Sequence, residues 1–307
     1  MQFALILEQI LNGLQLGFML FLMASGLTLI FGVMGLINLA HGSLYMIGAF
    51  VCAAVASYTG SYRLGLMASL AAAAGAGALI EVTVIRRLYR GTHLDQVLAT
   101  FALILIISEG TRWVFGSFPL YLPIPPLLDG AVQIFPGGGP YPVFRLAIIG
   151  VGIVVASLLF GLINRSRLGI RIRAGEADRE MIGALGVNIR SLYTIVFALG
   201  AALAGLAGAL VGPLQSVQVG MGEPVLILAF VVIVIGGIGS IKGALLGSIL
   251  IGLIDTLGRF LLPRTLQTVF DQSAATSIGA ALASMTIYIV MALILVLKPR
   301  GLFGSET

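Results

Sequence analysis

Cysteine is nearly missing from this chain of 307 residues: Cys52 stands alone, so no internal disulfide can form. Only two histidines occur, His41 and His93, and neither has a cysteine or a carboxylate pair nearby, which excludes a plausible zinc site and leaves the metal set empty. Charge is scarce too. Charged residues make up 9% and hydrophobic ones 59%, at a mean hydropathy of +1.11, where soluble domains carry roughly 25% charge. No soluble fold can hide that much apolar surface. The only lysines, Lys242 and Lys298, follow Ile241 and Leu297, so no Gly-Lys-Ser/Thr phosphate loop exists and the chain binds no ATP by that motif. A serine nucleophile elbow, a dinucleotide fingerprint and a nucleic-acid motif are also missing. No catalytic residue is assigned, and an enzyme is not expected.

What is present is a series of unbroken apolar runs rich in Leu, Ala and Gly, which favours membrane helices over an alternating β-barrel. The fold class expected is all-α, a polytopic transmembrane bundle of about 8–10 spans. Nine candidate spans are read: Gln9 to Val33, Gly42 to Tyr58, Leu64 to Ile85, Gln96 to Phe115, Val143 to Ile163, Leu192 to Gly212, Pro224 to Ile238, Gly243 to Leu262 and Ser277 to Leu297. The second and seventh are short enough to be broken or re-entrant. No Lys or Arg precedes Arg63, and Glu8 sits where an export signal needs basic residues, so the first segment is expected to be retained.

Orientation follows from the basic residues. Placing the stretches near Arg86 and 164–190 inside collects Arg86, Arg87, Arg90, Arg165, Arg167, Arg171, Arg173, Arg179, Arg190, Lys242, Lys298 and Arg300, twelve in all, against five outside: Arg63, Arg112, Arg145, Arg259 and Arg264. That excess predicts an N-terminus outside and a C-terminus inside. Residues 1–307 then form a single transmembrane domain with a cytoplasmic loop at 164–190 and an external loop at 116–142. The external loop is rich in proline, including Pro136, and contains the glycine run Gly137, Gly138, Gly139; it cannot be a span. Trp113, Phe115, Phe118, Tyr121, Tyr141 and Phe144 flank it as an interfacial aromatic belt.

The loop 164–190 is the longest polar interruption. Within it Glu176 and Asp178 suit a helix start, Ala177, Met181 and Leu185 recur every four residues, and Gly186 suits a helix end. This predicts a small helix with one apolar stripe, read either as a solvated basic loop or as a docking helix for a soluble partner. A second polar interruption, Asn38, His41, Gly42 and Ser43, lies between the first two spans. It reads as part of a translocation path, where a half-helix start faces a carboxylate, or as helix caps at the inner surface.

Small residues mark close helix approach. Gly200, Ala204, Gly208 and Gly212 form one expected packing groove; Gly236, Gly237, Gly239, Gly243 and Gly247 form another. The membrane carboxylates have basic neighbours: Glu109 with Arg112, Asp255 with Arg259, and Glu81 near Arg86 and Arg87. They read as compensated anchors. An ion-coupled secondary transporter would instead need Glu109 or Asp255, and a passive channel would need no cytoplasmic helix; both remain open at this point.

Four segments together, GVMGLINLAHGSLYMIGAF (32–50), IRAGEADREMIGALGVNIRSLYTIVFALGAALAGLAGALVG (172–212), VVIVIGGIGSIKGALLGSILIG (231–252) and KPRGLFG (298–304), resemble the LivH-type permease of branched-chain amino-acid ABC importers. The resemblance implies an ABC importer permease architecture in a bacterial inner membrane. It implies a related LivM-type permease subunit, two cytoplasmic ATPases that bind ATP-Mg, and a periplasmic amino-acid-binding protein. It also implies that a cytoplasmic motif related to the EAA loop falls on Glu176, Ala177, Asp178, Gly183 and Gly186. Asp178 replaces the second alanine of that motif, and glycines stand at both 183 and 186. The resemblance implies no cofactor bound by this chain itself and no nucleic-acid partner.

Overall fold

The structure is a computed structural model that describes residues 2–89, 91–134 and 138–304. Among these residues the elements are α1 (Gln2–Met34), α2 (His41–Thr59), α3 (Tyr62–Leu88, interrupted by a π-turn at Glu81–Ile85), α4 (His93–Phe115), a two-stranded ribbon of β1 (Ala131–Val132) and β2 (Tyr141–Pro142), α5 (Val143–Arg165), α6 (Arg167–Ala177), α7 (Arg179–Ala184), α8 (Ile189–Val211), α9 (Gly222–Gly236), α10 (Ile241–Leu266) and α11 (Gln272–Leu297). The chain is an all-α membrane bundle, and the nine expected spans correspond in order to α1 to α5 and α8 to α11. Eight of these helices, among the described residues, are long and apolar enough to cross a bilayer. The ninth, α9, has 15 residues; at ~1.5 Å per residue it reaches only about 22 Å, short of the roughly 30 Å hydrocarbon layer.

Helix ends move outward from the expected limits where caps act. Thr92 and Asp95 form a reciprocal capping box, with Asp95 N–H donating to Thr92 Oγ1 at 3.2 Å and Thr92 N–H to Asp95 Oδ2 at 2.8 Å. That box starts α4 at His93. Asp271 accepts from Ala274 N–H and starts α11 at Gln272. Pro263 does not end α10, which runs on to Leu266, and it packs against Gly279 of α11.

Two compact units divide the chain: Met1–Phe21, Pro126–Ile153 and Phe230–Thr307 form one, Leu22–Pro125 and Val154–Ala229 the other. In the first unit α10 packs along α11, and Gly13 and Gly17 of α1 lie against Leu253 and Ile249 of α10. The KPRGLFG tail folds back: Leu302 and Phe303 N–H groups donate to the Ile235 and Gly236 carbonyls at 2.8 and 2.9 Å, satisfying carbonyls that the end of α9 would otherwise leave free. In the second unit α8 is the core, packed by α2 and α3, with Val196, Phe197, Ala201, Ala204 and Ala207 fully buried.

The expected aromatic belt divides in two. Trp113, Phe118 and Tyr121 are exposed, whereas Tyr141 and Phe144 are buried, because Tyr141 turns inward to donate to Asn12 Oδ1 at 3.1 Å. Arg145 donates to the same amide oxygen. Pro136 and Gly137 of the expected external loop, with Arg90 of the basic set, lie outside the described residues.

Candidate functional site

The polar stretch 164–190 folds as two helices where the sequence predicts one. Ser166 accepts from Gly169 N–H at 3.0 Å and starts α6, so the arginine run is itself helical. Gly169 lets α6 sit directly on the Leu162 and Ile163 carbonyls at the end of α5, and Arg173 donates to Ile163 O. Glu176 and Ala177 therefore end α6 and do not open α7, a correction to the expected helix start. The reason is Asp178. Its backbone is extended and its carboxylate accepts from the N–H groups of both Glu180 and Met181 at 2.9 Å, which makes it the N-cap of a new helix. Gly186, at φ +86°, closes α7 in the left-handed conformation that a side chain resists.

One residue of α7 anchors it and others face outward. Ile182 is 5% exposed, whereas Met181 is 59% and Leu185 76% exposed. Ala177 and Gly183 are exposed as well. Behind Leu185 the surface of α6 and the start of α8 enclose a concavity of about 440 Å³ lined by Leu168, Arg171, Asn188 and Ile195 among others. Desolvation raises the Glu176 carboxyl above its ordinary value.

At the second candidate, the break between α1 and α2, Asn38, His41, Gly42 and Ser43 are all buried. They are not surface caps. Ala40 is the N-cap of α2 and makes no side-chain cap bond, while Asn38 Oδ1 accepts from Ala40 N–H at 3.1 Å in a local turn. Among the described residues, Asn38 Nδ2 and Ser43 Oγ have no partner; His41 faces the Met23 backbone, but neither ring nitrogen completes a hydrogen bond there. Buried polar atoms without partners are uncommon and costly, and here several gather at one helix break. A methyl on Gly42 would lie 2.8 Å from the Gly222 carbonyl oxygen, and one on Gly26 would lie 3.0 Å from His41 Nε2. Backbone therefore surrounds the polar cluster closely.

The expected groove on α8 is occupied. Gly200 lies against Gly26 and Ile30 of α1, Gly208 against the Tyr45 carbonyl of α2, and Ala204 is fully buried between them. Gly212 caps α8 and packs on Leu122 and Val217. A neighbouring face, Ala201 and Gly205, lies outside the expected four-residue series; it receives Gly77 and Ala73 of α3, and Gly48 of α2 approaches Gly205. In the second expected series, Gly236, Gly243 and Gly247 are packing residues, with Gly236 and Gly243 in backbone contact and Gly247 against the Val232 carbonyl. Gly237 and Gly239 are not part of that face. Both have positive φ and build the tight turn between α9 and α10, a role that a four-residue spacing rule cannot distinguish from packing.

A family model described as the permease component of the branched-chain amino acid transport system matches residues 9–297. The chain belongs to that family. It is 30% identical to the high-affinity branched-chain amino acid transport system permease protein BraD of Pseudomonas aeruginosa, over 97% of this chain and 95% of BraD. It is 28% identical to the corresponding LivH protein of Escherichia coli, over 99% of this chain and 97% of LivH. A probable branched-chain amino acid transport permease protein LivH of Methanocaldococcus jannaschii is 25% identical over 94% of this chain and 89% of its own length. No solved structure matches. This permease is thus the membrane subunit of an ABC importer, not an enzyme.

The permease's charged membrane residues are paired as expected. Arg112 bonds Glu109, and Arg259 Nε bonds Asp255 at 2.8 Å. Glu81 is different in kind: it is fully buried, and Thr194, 113 residues away, bonds it at 2.7 Å. Tyr89 donates to Glu81 Oε1 at 2.8 Å, and burial together with that carboxylate raises the phenol above its ordinary value. The sequence pairs Glu81 with its arginine neighbours but gives no sign of Thr194 or Tyr89.

Proposed function

We propose that the permease imports branched-chain amino acids. Its relatives' names carry that substrate class. In this reading a LivM-type subunit pairs with it in a bacterial inner membrane, and two cytoplasmic ATPases bind ATP-Mg and supply hydrolysis, this chain binding no nucleotide of its own. A periplasmic binding protein delivers the amino acid. In the same reading residues 164–190 and the C-terminus are cytoplasmic and the N-terminus periplasmic, an orientation that the basic-residue excess supports.

The observation that carries the reading is α7: a capped helical turn that buries Ile182 and offers Met181, and Leu185 at its C-cap, outward from a polar segment. Such apolar anchors suit a groove on a soluble partner. Glu176, Ala177 and Asp178 lie at its entry, Gly183 within it, and Gly186 at its exit. Only residues 185–188 separate α7 from α8, and Gly200 on α8 lies against α1 just before the polar break. Nucleotide-driven closure of the ATPases would displace α7, shift α8, and change access to the path marked by Asn38, His41, Gly42 and Ser43.

Assembly of the permease with its partner subunit, ATPases and binding protein tests this directly. Leucine, isoleucine or valine should raise ATP hydrolysis and drive uptake into proteoliposomes. Uptake by this chain alone under an ion gradient, or flux without ATP, would sink the proposal.

A further inference from the structure

The buried carboxylate at the end of α3 has partners that neither anchoring nor adhesion requires. In an α-helix, residues five apart point about 140° from one another, so Glu81 and Arg86 would not meet. The π-turn at Glu81–Ile85, closed by Arg86 N–H on the Glu81 carbonyl, widens that turn and brings both side chains to one side. Arg86 then donates from Nε to Oε1 at 3.2 Å and from Nη2 to Oε2 at 2.8 Å. Thr194 accepts from the same Nη2 at 2.8 Å and donates to Oε2 at 2.7 Å, sharing its proton with the Arg190 carbonyl at 3.0 Å. Tyr89 completes the set. Arg86 lies in the last turn of α3 and Tyr89 just beyond it, whereas Thr194 stands in the second turn of α8, so the ring closes across the two helices.

Adhesion between α3 and α8 is already provided elsewhere. Gly77 sits against Ala201, Ser69 donates to the Gly205 carbonyl at 3.1 Å, and Tyr62 donates to the Ala209 carbonyl at 3.1 Å. A buried ion pair is also a weak source of stability compared with well-packed apolar groups, and an ionisable residue within a span asks for a function. What the ring adds is a charge-assisted link at the end of this helix pair that lies next to α7, made through Thr194 in the second turn of α8. We infer that Glu81, Arg86 and Thr194 form the joint that carries displacement of α7 and the first turns of α8 into α3, with Glu81 as its positioning residue for transport. The inference rests on the proposed docking of ATPases at α7.

The test uses the complete complex in proteoliposomes, with ATP hydrolysed and leucine taken up measured on one sample. Glu81→Gln keeps the shape but loses the charge-assisted bonds; Thr194→Val removes the link between helices. Both variants should retain their ATPases and basal hydrolysis, while uptake per ATP falls about 2- to 30-fold. The double variant should be no worse than the more severe single one, because both break the same ring. Thr194→Ser should restore the ratio. An unchanged ratio in Thr194→Val, a parallel fall of hydrolysis and uptake, or independent multiplication of the two effects overturns the inference. If Glu81→Gln does not accumulate, the pair Thr194→Val and Thr194→Ser decides alone, since that side chain is only half-buried. ATPases that stay bound to Met181→Asp would refute the docking reading, and the Thr194→Val ratio is read separately from that result.

Discussion

The Asp178 carboxylate accepts a hydrogen bond from the Met181 backbone N–H at 2.9 Å, and this contact sets where the exposed turn begins. A helix of six residues has little stability of its own. Asp178→Ala should cost about 1 kcal/mol of local helix stability and lower uptake severalfold, while Asp178→Asn, which still accepts, should stay close to the parent. Uptake by proteoliposomes containing each variant checks the order.

Met181→Asp and Leu185→Asp place a charge on the two exposed apolar side chains. Neither residue is part of the buried core, so the permease should insert and fold normally. ATPase co-purification should be lost, and uptake with it. Pull-down on a tagged permease measures both.

Close backbone contact makes a different prediction for two glycines in the same bundle. A methyl on Gly208 would run into the Tyr45 carbonyl, which cannot rotate away, whereas one on Gly75 meets nothing within 4 Å. Gly208→Ala should destabilise by roughly 1–3 kcal/mol. Gly75→Ala should be neutral or stabilising by up to about 1 kcal/mol, because alanine is the better helix former. Thermal unfolding in one detergent compares them.

His41 should separate stability from function. Its ring is fully buried without a completed hydrogen bond, and an unsatisfied buried group costs about 1–3 kcal/mol. His41→Leu should therefore leave the melting temperature equal or higher while uptake falls. A variant both less stable and fully active would remove this break from the path.

Legibility in the sequence followed the range of the interactions involved. The apolar runs set the helices in correct order because lipid imposes a length and a composition on each span. Met181, Leu185 and Gly186 were readable because their spacing is local. The sequence does not fix the start of α7, because Asp178 can serve inside a first turn or as a cap, and only backbone geometry separates the two. Gly237 and Gly239 looked like packing residues for the same reason. Thr194 and Gly205 were invisible: their partners, Glu81 and Gly48, are far away in the chain, and one threonine or one more glycine in an apolar helix carries no signal of them.

Sidedness and contact at residue 181 test the central claim most directly, and the chain is suited to it because its one native cysteine, Cys52, is buried. A Met181→Cys permease in sealed, oriented membranes should react with an impermeant maleimide only from the cytoplasmic face. A short thiol cross-linker should then join it to the ATPase, and ATP should change the yield. Labelling from the external face alone, with no ATPase adduct, would contradict the account.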